Sequence, residues 1–240
     1  MKPTIKAAGF DGFLVTFGEG LDEAANRAAL AFRNAVEAAG LAGVQESATS
    51  LVSTYLRFDP LQIAHDEIRV ALETLLGEQD WHAAPLPQGR RLWRIPAAFG
   101  DDAGPQLAEA AEAAGMGAAA AVKMICATRL RVQTIGFAPG MPYLGVLPEA
   151  WDIPRLTDIT AAVPAGGLCL AIRQMVLFPN TTPTGWRHVG QTAVRLFQPE
   201  ADAPFLLRSG DEIAFHPVGA DALAALEHDP GGGAICEALA

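Results

Sequence analysis

At 240 residues, half of them hydrophobic, the chain can bury one large core or two smaller ones. Its 27 acidic against 17 basic residues give a formal charge of −10, which leaves no basic surface for phosphate and argues against nucleic acid and anionic membranes as partners. No apolar run reaches the ~18 residues of a membrane span, and three widely separated cysteines, Cys126, Cys169 and Cys236, indicate a reducing cytoplasm without a disulfide framework.

The N-terminal "MKPTIKAAGFDG" has no continuous apolar stretch and reads as mature protein. "FDGFLVTFG" (10–18) has strand composition and stops at glycine. In the next segment Leu21, Ala25, Ala28, Phe32, Val36 and Ala39 recur at helical spacing, with Asp22 and Glu23 suited to the first turn and Gly40 to the stop. Residues 44–58 read as two strands. A second helix is expected from Asp59 as N-cap and Pro60 at the first helical position, with Leu61, Ala64, Ile68, Ala71 and Leu75 as its buried stripe. The order β-α-β-β-α, followed by strand-like "RRLWRIP" (90–96), is that of a ferredoxin-like split β-α-β sandwich or one strand short of it. The proline-rich "HAAPLPQG" (82–89) separates a first domain, residues 1–85, from a second, 90–222.

The second half opens with "FGDDAGPQLAEAAEAAG", a loop and a helix, and "GAAAAVKMICA" (117–127), a further short helix. From residue 130 the grammar changes. "RVQTIGF", "GLCLAIRQMVLFP", "QTAVRLF" and "DEIAFHPV" are short strand-like runs separated by proline and glycine, which implies a closed or rolled antiparallel sheet. Residues 223–240, ending in "GGGAICEALA", are expected to be a loose tail. The class is therefore α+β. The five histidines are scattered, so no metal site is expected; phosphate-loop and nucleophile-elbow motifs are absent.

One segment fits no regular element. "GFAPGMPYLGVLPE" (136–149) is stiffened by proline and glycine yet too apolar for a solvated loop. It resembles the signature of the family that comprises allophanate hydrolase subunit 1, the B-type subunit of 5-oxoprolinase and a kinase inhibitor of sporulating bacteria. The same module forms part of the carboxyltransferase domain of urea carboxylase. "FGEGLDEAANRA", "FGDDAGPQL", "VPAG" (163–166), "FPNTTPTGWRHVGQT" (178–192) and "LLRSGDEIAFHPV" (206–218) fall in the family's order, so the resemblance spans roughly residues 10–218. It implies a cyclophilin-like β-barrel for the second domain, following the ferredoxin-like first. It also implies a component of an ATP-dependent assembly that opens 5-oxoproline or a urea-derived amide. The partners would be a subunit 2/C-type carboxyltransferase-like protein and a lactam-utilisation-type subunit, and ATP is expected only with them. Departures occur where the family carries "AGGQTG" and this chain has "AIRQMV" (171–176), where its "SPGGW" is "TPTGW" (182–186), and at Gln191 in place of a common arginine. The replaced glycines favour a rival reading, a regulator without chemistry that binds a histidine kinase or other protein.

The expected site is the barrel groove, lined by Phe137, Pro139, Gly140, Tyr143, Arg173, Gln174, Gly185, Trp186 and Arg187. Tyr143 and His188 are candidates for catalysis, His188 because an imidazole titrates near neutral pH. Phe137, Tyr143 and Leu144 are equally readable as plugs of the barrel end. Strand alternation places Arg173 on the face of Ala171 and Met175, either as an edge guard or as a groove cation able to share an anion with Arg187. Cys126 and Cys169, among apolar neighbours, read as inert core thiols.

Overall fold

The computed structural model describes residues 2–239. The chain divides into two compact units, Met1–Gln88 and Gly89–Ala240. The first contains strands β1 (Thr4–Ala7) and β2 (Gly12–Thr16), helix α1 (Glu23–Ala39), the hairpin β3 (Val44–Ser50) and β4 (Ser53–Phe58), and helix α2 (His65–Gly77). Its antiparallel sheet runs β1-β2-β4-β3. The edge beside β2 is thus taken by the first strand of the chain, and the strand-like run after residue 90 belongs to the second unit.

Helix α1 forms as its spacing dictates. Asp22 caps it by accepting a hydrogen bond from the Ala25 amide at 2.8 Å, Gly40 ends it in the left-handed conformation, and Ala25, Ala28, Phe32 and Val36 are buried. Helix α2 starts later than its sequence predicts. Asp59 caps a separate turn, accepting from the Leu61 amide at 2.9 Å, and the helix begins at His65, where Glu67 accepts from the Ala64 amide at 3.0 Å. Leu61 is consequently exposed, and Ile68 and Leu72 carry the burial.

The second unit is built on β5 (Arg91–Phe99), the helices α3 (Leu107–Ala113) and α4 (Ala118–Ala127), β6 (Leu130–Ile135), β7 (Pro142–Gly145), β8 (Thr160–Val163), β9 (Gly167–Ala171), β10 (Gln174–Leu177), β11 (Thr182–Thr184), β12 (Arg187–Gln191), β13 (Glu212–Pro217), helix α5 (Ala220–Leu226) and β14 (Ile235–Ala238). Seven strands follow one another as β6-β13-β5-β12-β9-β10-β7, and β7 pairs with β6 to close the ring. The rolled sheet expected from the sequence is a closed barrel. All its pairings are antiparallel except β13 with β5. A separate ribbon joins β8 and β11.

Alternation along the strands divides the barrel into two faces. Leu144, Leu168, Leu170, Met175, Leu177 and Val189 point inward and meet Leu107, Ala110, Ala121 and Ile125 of the helices together with Trp151. Each such side chain contributes about 1.5–3 kcal/mol of burial. No single helix among the described residues is long and apolar enough to cross a membrane; α3 and α4, bent by 85°, serve this core.

Two local expectations are corrected. The apolar run 167–179 is a hairpin, because Ile172 and Arg173 turn the chain with φ of 46° and 61°. The expected tail, as far as it is described, is not loose: β14 pairs with Arg91–Arg94 of β5. Strand β12 reaches only Ala98 and Phe99 on that side of β5, so β14 covers an edge otherwise left open.

Candidate functional site

On the outer face of the barrel, Tyr143, Cys169, Ala171, Val176 and Trp186 form an apolar wall with Met141, Val163 and Phe178. A cavity of about 330 Å³ opens against it, lined also by Phe137, by Arg155, Leu156 and Ile159, and by residues 182–185. The Trp186 indole meets Tyr143 edge-on, with ring centres 6.1 Å apart. The Arg155 guanidinium lies over the same indole, 5.2 Å from its centre. Phe137 and Ile159 are 79% and 71% exposed on the cavity lining.

The stiff segment 136–149 serves both the core and this wall. Residues 136–141 form a tight loop closed by the Gly136 amide donating to the Met141 carbonyl at 3.1 Å. Phe137 has a φ of 73°, which holds its ring in solvent. Gly140 is required because a Cβ there would stand 3.0 Å from the Leu196 carbonyl oxygen. Beyond the loop, Leu144 and Leu147 enter the barrel core while Tyr143 faces the cavity.

Arg187 is buried. Its Nε donates to Glu109 at 2.9 Å and its Nη1 to the Pro154 carbonyl at 2.6 Å. His188 lies on the Trp186 side of β12. Its amide donates to the Gln106 side chain at 2.7 Å, and its carbonyl accepts from the Gln106 amide at 3.0 Å. The imidazole is buried, with Nε2 lacking a hydrogen-bond partner. Burial holds its pKa below the ordinary 6.5, with the Gly190 backbone and the Gln191 side chain acting in the opposite direction. It is therefore neutral at physiological pH. Burial likewise pushes the Cys126 thiol up to about 11 and raises Cys169, so neither is a ready nucleophile.

Of the residues predicted for the site, Phe137, Tyr143, Gly185 and Trp186 line one cavity. Pro139 is exposed on the outside of its loop and Gly140 is buried under it. Arg187 and His188 are committed to helix α3 and its start. Arg173, placed on a strand by alternation, sits instead in the hairpin turn. It clamps the chain after β7: its Nε donates to the Leu147 carbonyl at 3.0 Å and its amide to the Trp151 carbonyl at 2.9 Å. Gln174 donates to Gln133 at 3.0 Å. Neither lines the cavity, and a pocket shared by Arg173 and Arg187 is not formed. Glycines, which the family resemblance implied for 172 and 173, would suit the left-handed turn found there, a conformation L-residues adopt at a cost.

Arg155, Gln106 and Glu109 were missed by sequence reasoning. Arg155 stands in "DIPRLTD", a loop without periodicity or motif, and gains its place from Trp186, far along the chain. Gln106 and Glu109 lie within "FGDDAGPQLAE", where Gly104 signals a close approach: a Cβ there would lie 2.1 Å from the Val189 carbonyl oxygen.

The chain belongs to the family described as carboxyltransferase domain, subdomain C and D, whose model matches residues 3–207. It is similar to the B-type subunit of 5-oxoprolinase from Escherichia coli O157:H7, 36% identical over 150 residues that make up 62% of this chain and 69% of the relative. It is also similar to the B-type subunit of 5-oxoprolinase from Bacillus subtilis, 28% identical over 218 residues, 88% and 91% of the two chains. The crystal structure of TTHA0988 superposes on 87% of the chain with a TM-score of 0.72 and 31% identity, and the chain spans 40% of that longer protein.

The described residues contain no group of three or more His, Cys, Asp or Glu side chains able to hold a metal ion. The cavity is lined by a single cation, Arg155, already seated on an aromatic ring. That lining does not fit a triphosphate, which needs several converging donors.

Proposed function

We propose that this chain is the subunit 1/B-type component of an assembly that opens 5-oxoproline at the expense of ATP. The observation that carries the reading is the family match over residues 3–207, joined by two relatives that are B-type subunits of 5-oxoprolinase. On this reading the first unit is ferredoxin-like, with its edge strand drawn from the N-terminus, and the barrel is cyclophilin-like. The cavity of Phe137, Tyr143, Gly185 and Trp186 is the site's contribution from this chain. A subunit 2/C-type protein completes it, and a lactam-utilisation-type subunit joins them. Of the residues replacing the glycine run, Ile172 and Arg173 form a hairpin turn off the cavity lining and only Val176 lines it, which weakens the motive for reading the chain as a kinase-binding regulator.

The test is an ATP hydrolysis assay with 5-oxoproline, run on the purified chain and on the chain with its candidate partners. We expect silence from the chain alone and coupled turnover from the assembly. Robust turnover by the single chain would contradict the subunit role. Turnover of allophanate but not of 5-oxoproline would move the substrate to the urea-derived class.

A further inference from the structure

We propose that Arg155 binds the carboxylate of a small flat acid whose ring lies against Trp186 and Tyr143. This rests on the reading of the cavity as the ligand site and adds the group that selects the ligand. Three observations support it.

The first is charge. In the same unit Arg90, Arg91, Arg94, Arg129, Arg187 and Arg208 are each ion-paired with Asp or Glu. Among the described residues Arg155, like Arg173 and Arg195, has no ion pair; of these three Arg155 is the one on the cavity lining, with the face of Trp186 against its guanidinium. In a chain of net charge −10, a cation left without an acid in a cavity wall is complementary to an incoming anion.

The second is placement. Arg155 is exposed, yet the backbone on either side of it is fixed. Arg187 Nη1 holds the Pro154 carbonyl at 2.6 Å, and the Leu156 amide donates to the Gly185 carbonyl at 2.7 Å. Buried Arg187 thus anchors the loop that presents Arg155. A guanidinium lying on an indole keeps its N–H fork free at the rim, the arrangement that takes a carboxylate in bidentate fashion.

The third is shape and the sign of the surroundings. The wall is aromatic and apolar, with Tyr143 set edge-on to Trp186, and its volume of about 330 Å³ suits a ligand of one ring. The adjoining cavity shares Leu156 and Ile159 and is lined by Asp158 and by Glu109, the latter paired with Arg187. A second carboxylate reaching there would be repelled, so a monocarboxylate is the class selected.

The experiment is calorimetric titration of the full chain with benzoate, with its neutral isostere benzamide and with L-5-oxoproline. Benzoate should bind at least about tenfold more tightly than benzamide, a factor of about 1.4 kcal/mol. Arg155→Gln should abolish that preference while leaving benzamide binding unchanged. Arg155→Lys, which keeps the charge and loses the fork, should fall between the two. Arg195→Gln, at an exposed arginine off the cavity lining, should behave as the unaltered chain. Equal binding of benzoate and benzamide, or a preference that survives Arg155→Gln, would overturn the proposal. The assembled enzyme separates this inference from the function on which it rests. If the assembly cleaves 5-oxoproline and Arg155→Gln leaves its KM unchanged, the inference falls and the function stands. If the assembly is inactive while benzoate binding still depends on Arg155, the function falls and the inference stands.

Discussion

Ile172 and Arg173 turn the β9–β10 hairpin in the left-handed region, where an L-residue is disfavoured by about 1–2 kcal/mol and a β-branched one is an outlier. Ile172 is 43% exposed, so little burial offsets that strain. We expect Ile172→Gly to stabilise the chain by about 1 kcal/mol, the relief of strain exceeding the added entropy of an unfolded glycine. A higher urea midpoint at unchanged slope would show it, and an unchanged or lower midpoint would refute it. The same pair explains why the hairpin was hidden in the sequence. With Ile and Arg at its centre the turn carries none of the usual glycine or asparagine, and "GLCLAIRQMVLFP" reads as one apolar run. His188 offers a second test. Its folded pKa lies below the 6.5 of the free side chain, so between these values the unfolded state binds more protons and stability rises with pH. Below both values this contribution is lost, and above 6.5 it is fully present. Urea midpoints followed from about pH 5 to about pH 8 should rise less steeply for His188→Gln than for the unaltered chain. Parallel curves would place the titration elsewhere.

Helix α3 is seated on β12 by a close backbone approach rather than by large side chains. Gly104 allows it, and Gln106 then exchanges two hydrogen bonds with His188. A methyl at 104 would meet backbone atoms that cannot rotate away, so Gly104→Ala should cost about 1–3 kcal/mol. Amide exchange in Leu107–Ala113 should quicken with it. Undisturbed exchange there would show that the seat lies elsewhere. Elements of this kind differ in how plainly the sequence announces them. Helix α1 is evident because cap, apolar stripe and terminal glycine agree locally. The barrel strands are evident as a class, because proline and glycine punctuate them. Strand β14 is not, since "ICEA" has no apolar alternation and is ordered by the vacant edge of β5 and the Arg94–Glu237 pair. The start of α2 was misplaced because Asp59 and Pro60 are equally good residues for the turn that precedes it. Arg155 was beyond reach, as its neighbour Trp186 is met only through the fold.

The division into two units at Gln88 and Gly89 coincides with a stretch free of regular structure and rich in proline. We expect limited proteolysis to cut first within residues 84–90, giving two resistant fragments on a gel. A first cut inside 136–149 would show that the stiff loop is the mobile one.

The neighbours of β5 carry a consequence for biosynthesis. This strand is among the first of its unit to leave the ribosome, yet it pairs with β12, β13 and β14, all made from residue 187 onward. During elongation its backbone donors and acceptors face water with no partner strand. Contacts this distant in sequence make closure slow and expose a sticky edge meanwhile. The nascent chain therefore reaches its native ring only once residues 187–217 have been made, and cells short of chaperones should lose this protein to inclusion bodies before they lose neighbours of simpler connectivity.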